Sequence, residues 1–259
     1  MNTASLIFFS PTHTTLKTVE AVCDGLGAER RQRIDLTRSV ATYDSVCGDL
    51  AIIGVPVHSG RVPKAAVARL ENLRGEGRPA ILVVVYGNRA YDDALLELEN
   101  LCEQNGFVVV SAGAFIGEHS YSTNDLPIAA GRPDLQDLED AKRFGARSLA
   151  KMEGGTWIPL ATAVPGKVPY KESRSPQGVK PAFDAGLCTR CLSCIAACPT
   201  EAIGSDDPGE IDGGKCIRCA ACIKICPARA KRFEDERILE VSAFLHEHCS
   251  DRKTPEYFF

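Results

Sequence analysis

Four short runs in the first part of the chain are almost continuously apolar: residues 6–9, 50–55, 80–86 and 107–112. Runs of this length fit strands buried on both faces, as in a parallel sheet covered by helices. Residues 31–36 form a weaker run, suited to an edge strand. The segments between them carry helical spacing. Leu16, Val19, Val22, Cys23 and Leu26 share one face, and Ala66, Leu70 and Leu73 follow Pro63, a residue favoured in a first helical turn. Leu95, Leu98, Leu101 and Cys102 make a third stripe, and Leu135, Leu138, Ala141 and Leu149 a fourth. This alternation predicts an α/β domain over residues 1–153, with a doubly wound, five-stranded parallel sheet.

The pattern changes after that. Residues 154–183 are rich in Pro and Gly yet include Trp157, Ile158 and Leu160, which predicts an ordered strap laid over the first domain. Residues 184–236 are poor in apolar groups and hold most of the cysteine. Residues 237–248 fit one short helix, and the chain closes on an aromatic tail.

Composition narrows the function. At 44% hydrophobic and 25% charged residues, the chain can bury a core. A net charge of −4 gives no basic stripe for phosphate backbones, so no nucleic-acid partner is expected. No apolar run is long enough to span a membrane, and the first residues lack the cationic start of a secretory signal. A cytoplasmic location is therefore expected.

In doubly wound sheets ligands bind beyond the carboxyl ends of the strands. The loop after the first strand holds Ser10, Thr12, His13, Thr14 and Thr15 and runs into a helix. Hydroxyls and free N–H groups there suit one phosphate monoester, though an ordinary N-cap looks the same. No Lys, no Arg and no triphosphate-binding glycine motif accompanies them. The loop after the third strand carries Pro56, Val57, His58, Ser59, Gly60 and Arg61. The one after the fourth carries Tyr86, Gly87, Asn88, Arg89 and Tyr91. Both combine small residues, which allow close backbone approach, with flat or cationic side chains that could lie on a ring. A further loop holds Glu118 and His119, either proton-handling groups or solvated residues.

These three segments resemble the phosphate loop and the two isoalloxazine loops of flavodoxin-like FMN proteins. The resemblance implies that the residues just named bind FMN. His13 stands where that family's [ST]-x-T-G-x-T pattern has Gly, a costly exchange if the position needs positive φ.

Eight of the 12 cysteines lie in two runs, Cys188-x2-Cys191-x2-Cys194-x3-Cys198-Pro199 and Cys216-x2-Cys219-x2-Cys222-x3-Cys226-Pro227, offset by 28 residues. This is the bacterial ferredoxin pattern, in which the fourth Cys of each run serves the other cluster. It assigns Cys188, Cys191, Cys194 and Cys226 to one [4Fe–4S] cluster, and Cys216, Cys219, Cys222 and Cys198 to a second. Two four-cysteine zinc sites are the competing reading. Ile195, Ile203, Ile211, Ile217, Ile223 and Ile225 are expected to line the clusters. Cys249 has no partner run, and Cys23, Cys47 and Cys102 read as small buried residues.

Of the cations near the runs (Lys180, Arg190, Lys215, Arg218, Lys224, Arg229, Lys231 and Arg232), most read as solvated surface. Arg190 and Arg218 occupy equivalent repeat positions and are expected to act on the clusters. The whole chain resembles a flavodoxin–ferredoxin fusion. The resemblance implies an oxidoreductase or electron-transfer protein with two [4Fe–4S] clusters, FMN and other redox proteins as donor or acceptor; a homo-oligomer is compatible with it. An FMN-dependent reductase of a small molecule, or a redox sensor without turnover, are the alternatives.

Overall fold

The computed structural model describes residues 2–38, 45–152, 158–172 and 178–259. The apolar runs form strands β1 (Thr3–Phe8), β2 (Arg30–Asp35), β3 (Leu50–Pro56), β4 (Pro79–Tyr86) and β5 (Val108–Ile116). Between and after them come helices α1 (Thr14–Leu26), α2 (Lys64–Leu70), α3 (Ala94–Gln104) and α4 (Leu135–Met152). The second part contributes β6 (Ala182–Phe183), α5 (Ser193–Ala196), α6 (Ala221–Lys224), β7 (Lys231–Arg232), α7 (Glu236–His248) and β8 (Glu256–Phe258).

The main sheet has the order β2-β1-β3-β4-β5-β8. Its first five strands are parallel, and β2, with Arg30, Arg31 and Arg33, is an edge strand as its weak apolar run predicts. Alternation along the central strands sends Ile7, Ile53 and Leu82 into one core and Leu6, Ile52 and Val83 into the other. Both faces are therefore dry, which explains why these runs show no polar period.

The sheet departs from the sequence expectation at its far edge. The aromatic tail returns as β8 and pairs antiparallel with β5, Gly113 opposite Tyr257. Tyr257 stacks on Phe144 of α4 with centroids 5.1 Å apart, and Arg147 lies over the Phe259 ring. The five parallel strands expected are present, and an antiparallel sixth is added to them.

The strap runs over the first domain in its described portions. Leu160 N–H donates to Val109 O, and the buried Asp93 carboxylate accepts the Lys167 and Lys171 N–H groups. Trp157 lies outside the described residues. Ala182 and Phe183, at the end of the expected strap, instead pair with Arg232 and Lys231 and belong to the second domain. That domain has little core of its own: Cys194, Ile203 and Ile211, with Ile195 packed against them. Ile217 packs instead on the core of the first domain, and Ile225, expected in the cluster lining, is 43% exposed. Cys23 and Cys102 are buried as expected, whereas Cys47 sits exposed in the loop before β3, its thiol donating to Ser45 O.

Helix α1, which presents the first loop, is set by a backbone-close crossing with α4. A Cβ on Gly145 would stand 2.1 Å from Val22 O, and one on Gly25 1.9 Å from Lys142 O. At an exposed helical site Gly→Ala stabilises by about 1 kcal/mol. Here the sign reverses: Gly145→Ala should destabilise by about 1–3 kcal/mol through overpacking, read as a lower denaturation midpoint at unchanged m. A raised midpoint would show that the helices do not cross this closely.

Candidate functional site

The start of α1 leaves N–H donors without protein partners among the described residues. A helix start has four N–H groups with no intrahelical acceptor. Here His13 N–H donates to Ser10 O, and Leu16 N–H to Ser10 Oγ at 3.0 Å. The Thr14 and Thr15 N–H groups remain. Beside them Thr15 Oγ1 is buried with no hydrogen-bond partner. Thr12, Thr14 and Thr15 all line one cleft of about 330 Å³. Two N–H groups and an orphaned hydroxyl at a helix N-terminus form a cradle for a small anion. His13 has φ 64°, so the position does need the left-handed region that the glycine of the resembled motif would supply. Its side chain is not among those lining the cleft.

The cleft continues between the other two loops, along Pro56, Val57, His58, Ser59 and Gly60 on one side and Tyr86, Gly87 and Arg89 on the other. Close approach is built in at Gly87, where a Cβ would stand 2.2 Å from the His119 ring. Burial pushes the pKa of both His58 and His119 down to about 4, so both imidazoles are neutral near pH 7. His119 Nδ1 accepts the Tyr121 N–H at 3.0 Å, which puts its remaining proton on Nε2.

Besides His13, three of the residues assigned to FMN by resemblance lie outside the cleft lining. Arg61 makes a two-pronged pair with Glu97 at 2.6 and 2.7 Å and lies over the Tyr170 ring. Asn88 gives its amide N–H groups to Cys249 O and Asp251 O, and Tyr91 OH donates to Glu256 at 2.8 Å. The returning C-terminal segment has recruited the last two, so they brace the loop that forms the cleft wall.

The second domain brings its cysteines together as two sets. Cys198, Cys216, Cys219 and Cys222 line one cavity, and Cys188, Cys191, Cys194 and Cys226 line another. The fourth residue of each run crosses to the other set. The thiols stand around cavities; among the described residues no three His, Cys, Asp or Glu side chains converge on one metal ion. The loops repeat the same backbone: Arg190 and Leu192 at φ 55° and 59°, Arg218 and Ala220 at φ 56° and 61°. Such non-glycine strain persists where the surroundings enforce it. N–H groups in and after such residues meet sulfur: Arg190 N–H donates to Cys188 Sγ at 3.4 Å, and Ala202 and Ala230, which follow Glu201 at φ 51° and Arg229 at φ 52°, donate to Cys198 Sγ and Cys226 Sγ.

Cys191 and Cys219 are repeat equivalents with opposite exposure. Cys191 is exposed, whereas Cys219 is 8% exposed and burial pushes its thiol up to about 12. Cys219, Ile217 and Arg218 line both the inner cysteine cavity and the cleft of the first domain. Val241 and Leu245 of α7 reach the same cleft, as do Lys171 and Glu172 of the strap. No local pattern in the sequence points to Lys171, Glu172, Val241 and Leu245, because they meet the cleft only through the tertiary fold. Glu118 takes part in that docking: its carboxylate pairs with Lys224 and accepts Gly131 N–H. Lys231, read from sequence as solvated, is 2% exposed.

Residues 180–227 match the family model described as 4Fe-4S dicluster domain. No curated protein matches the chain. Among solved structures, a flavodoxin from the domain Archaea is 15% identical, with 58% of this chain and 99% of that one covered and a TM-score of 0.39. A flavodoxin from Streptococcus pneumonia TIGR4 is 18% identical over 57% and 97%, at 0.42. Flavodoxin 1 from Bacillus cereus is 16% identical over 57% and 98%, at 0.40. The strand order 2-1-3-4-5 is itself that of the flavodoxin-like doubly wound fold. The chain joins this fold to a C-terminal ferredoxin-like 4Fe–4S domain.

Proposed function

We propose that the chain is an electron carrier that holds FMN in the cleft and two [4Fe–4S] clusters in the cysteine cavities, and exchanges electrons with another redox protein. One observation carries this reading: Arg218 and Cys219 are wall residues of both the inner cysteine cavity and the cleft. When bound, a flavin takes up one or two electrons and each cubane one, so together they link the two kinds of step.

The residues have distinct tasks in this reading. The Thr14 and Thr15 N–H groups and Thr15 Oγ1 hold the phosphate, while Ser10 keeps the loop in shape through its bond to Leu16. The loops at 56–60 and 86–89 flank the ring. Ile217 and Leu245 exclude water from the covered side. Glu118, the candidate acid, is engaged by Lys224 across the domain boundary, which favours the carrier over a reductase with a free proton donor. The exposed Cys191 side faces the partner, and the Cys219 side faces the flavin.

Anaerobically prepared protein should contain about eight irons, the content of two four-cysteine sites. Cys191→Ser should lose iron from one site and stop reduction of the flavin by an external one-electron donor, with FMN content unchanged. Cys249→Ser should leave iron content as it was. Equal iron loss in both variants would overturn the ligand assignment.

Thr15→Val removes the orphaned hydroxyl at nearly constant shape. A lost hydrogen bond to a charged group costs about 1.5–3 kcal/mol, so FMN affinity should fall tenfold or more while iron content holds. Equal affinity of the unmodified protein for riboflavin and FMN, by fluorescence titration, would remove the phosphate site from the reading.

A further inference from the structure

The two cysteine cavities are built on matching cross-strand pairs. Ile203 bridges Ile211 beside the inner cavity, and Lys231 pairs with Phe183 beside the outer one. Each residue of one pair lies 28 positions from its counterpart in the other, the same offset as the cysteine runs. Three of the four are apolar. The fourth is a lysine.

Lys231 is 2% exposed. Its Nζ donates to Pro208 O and stands 4.8 Å from the centroid of the Phe183 ring, and all three residues line the outer cavity. Among the described residues no carboxylate forms an ion pair with it; the neighbouring Arg232 pairs with Glu234. A buried ammonium with one carbonyl and one aromatic face is poorly compensated, and buried charges are kept where a counter-charge meets them. Four thiolates around an iron–sulfur core supply that charge.

The other cations near the runs are placed differently. Arg190 is exposed and donates to Asp206 O; Arg218 lines the inner cavity and the cleft and donates to Cys216 O. Charges open to water are screened by salt, whereas a buried one is screened much less. We infer that Lys231 is a built-in counter-charge that makes the two quasi-equivalent cysteine sites electrically unequal and holds up the reduction potential of the outer one. The inference rests on the proposed occupancy of both sites by [4Fe–4S] clusters. A fixed positive charge favours the more negative, reduced state of whatever the four thiolates bind. Isoleucine at the equivalent inner position gives no such bias.

The test is an EPR-monitored redox titration of anaerobic protein, at low and high salt, after iron, sulfide and flavin have been counted. Lys231→Met, similar in length but uncharged, should lower the reduction equilibrium of the cluster at Cys188, Cys191, Cys194 and Cys226 at least tenfold. For a one-electron couple that is about 59 mV. The shift should persist at high salt, and Lys231→Arg should restore most of it. Should Lys231→Met fail to retain iron, Ile203→Lys offers the converse reading: the inner couple should rise at least tenfold. Couples within threefold of the unmodified protein in iron-loaded Lys231→Met, or an unmoved inner couple in Ile203→Lys, would overturn the inference alone. Absence of cluster signals from the unmodified protein would overturn the proposed function with it.

Discussion

The organising constraint of this molecule is that its second domain is assembled around thiols. Among the described residues, the hydrophobic cluster that this segment gathers for itself is Cys194, Ile203 and Ile211, with Ile195, Cys198 and Cys222 packed against it. That is far too little apolar area to offset the ordering of roughly 50 residues, each of which costs about 1–2 kcal/mol of backbone entropy. Ligation can supply the difference: structural zinc sites contribute roughly 10–16 kcal/mol to folding, and thiolate bonds to iron belong to the same class of interaction. The strained left-handed residues in both cysteine loops make sense on the same terms, since they are tolerable only in a loop that closes over something.

From that constraint follows the way the halves are joined. A domain with so small a core is poorly suited to hold a fixed orientation unaided, and the chain ties it down at several points. Arg69 of the first domain donates to Pro199 O, Lys224 meets Glu118, and Tyr121 packs edge-on against Phe233. The segment after α7 then returns to the first domain, where Arg252 pairs with Asp134 and Lys253 donates to Arg89 O. Docking thereby turns a cleft at the carboxyl ends of the strands into a chamber with one wall from each domain.

Much of this is legible in the sequence, for physical reasons that differ by element. The apolar strands stand out because both sheet faces are covered, and the cysteine pairing stands out because ligand spacing is dictated by geometry. His13 shows the same logic in reverse: the motif position demands positive φ, and the structure supplies it without glycine. The failures share another cause. Asn88 and Tyr91 have side chains suited to a ring, but the tail competes for them successfully. Strand β8 spans only three residues, too few to show alternation. Lys231 looks solvated because burial of a lysine depends on what lies next to it in space, which composition does not encode.

The two edges of the sheet are protected in unlike ways. Along β2 the row of arginines repels another strand by charge. Along β5 no charge is available: its nine residues, Val108–Ile116, are apolar or small. Protection there comes from the last residues of the chain, with Phe258 opposite Ala112 and Glu256 opposite Ala114, and from the strap, whose Leu160 N–H takes Val109 O. A molecule clipped after α7 would therefore bare the Ala112–Ala114 stretch of this uncharged edge, the kind of surface that templates strand addition.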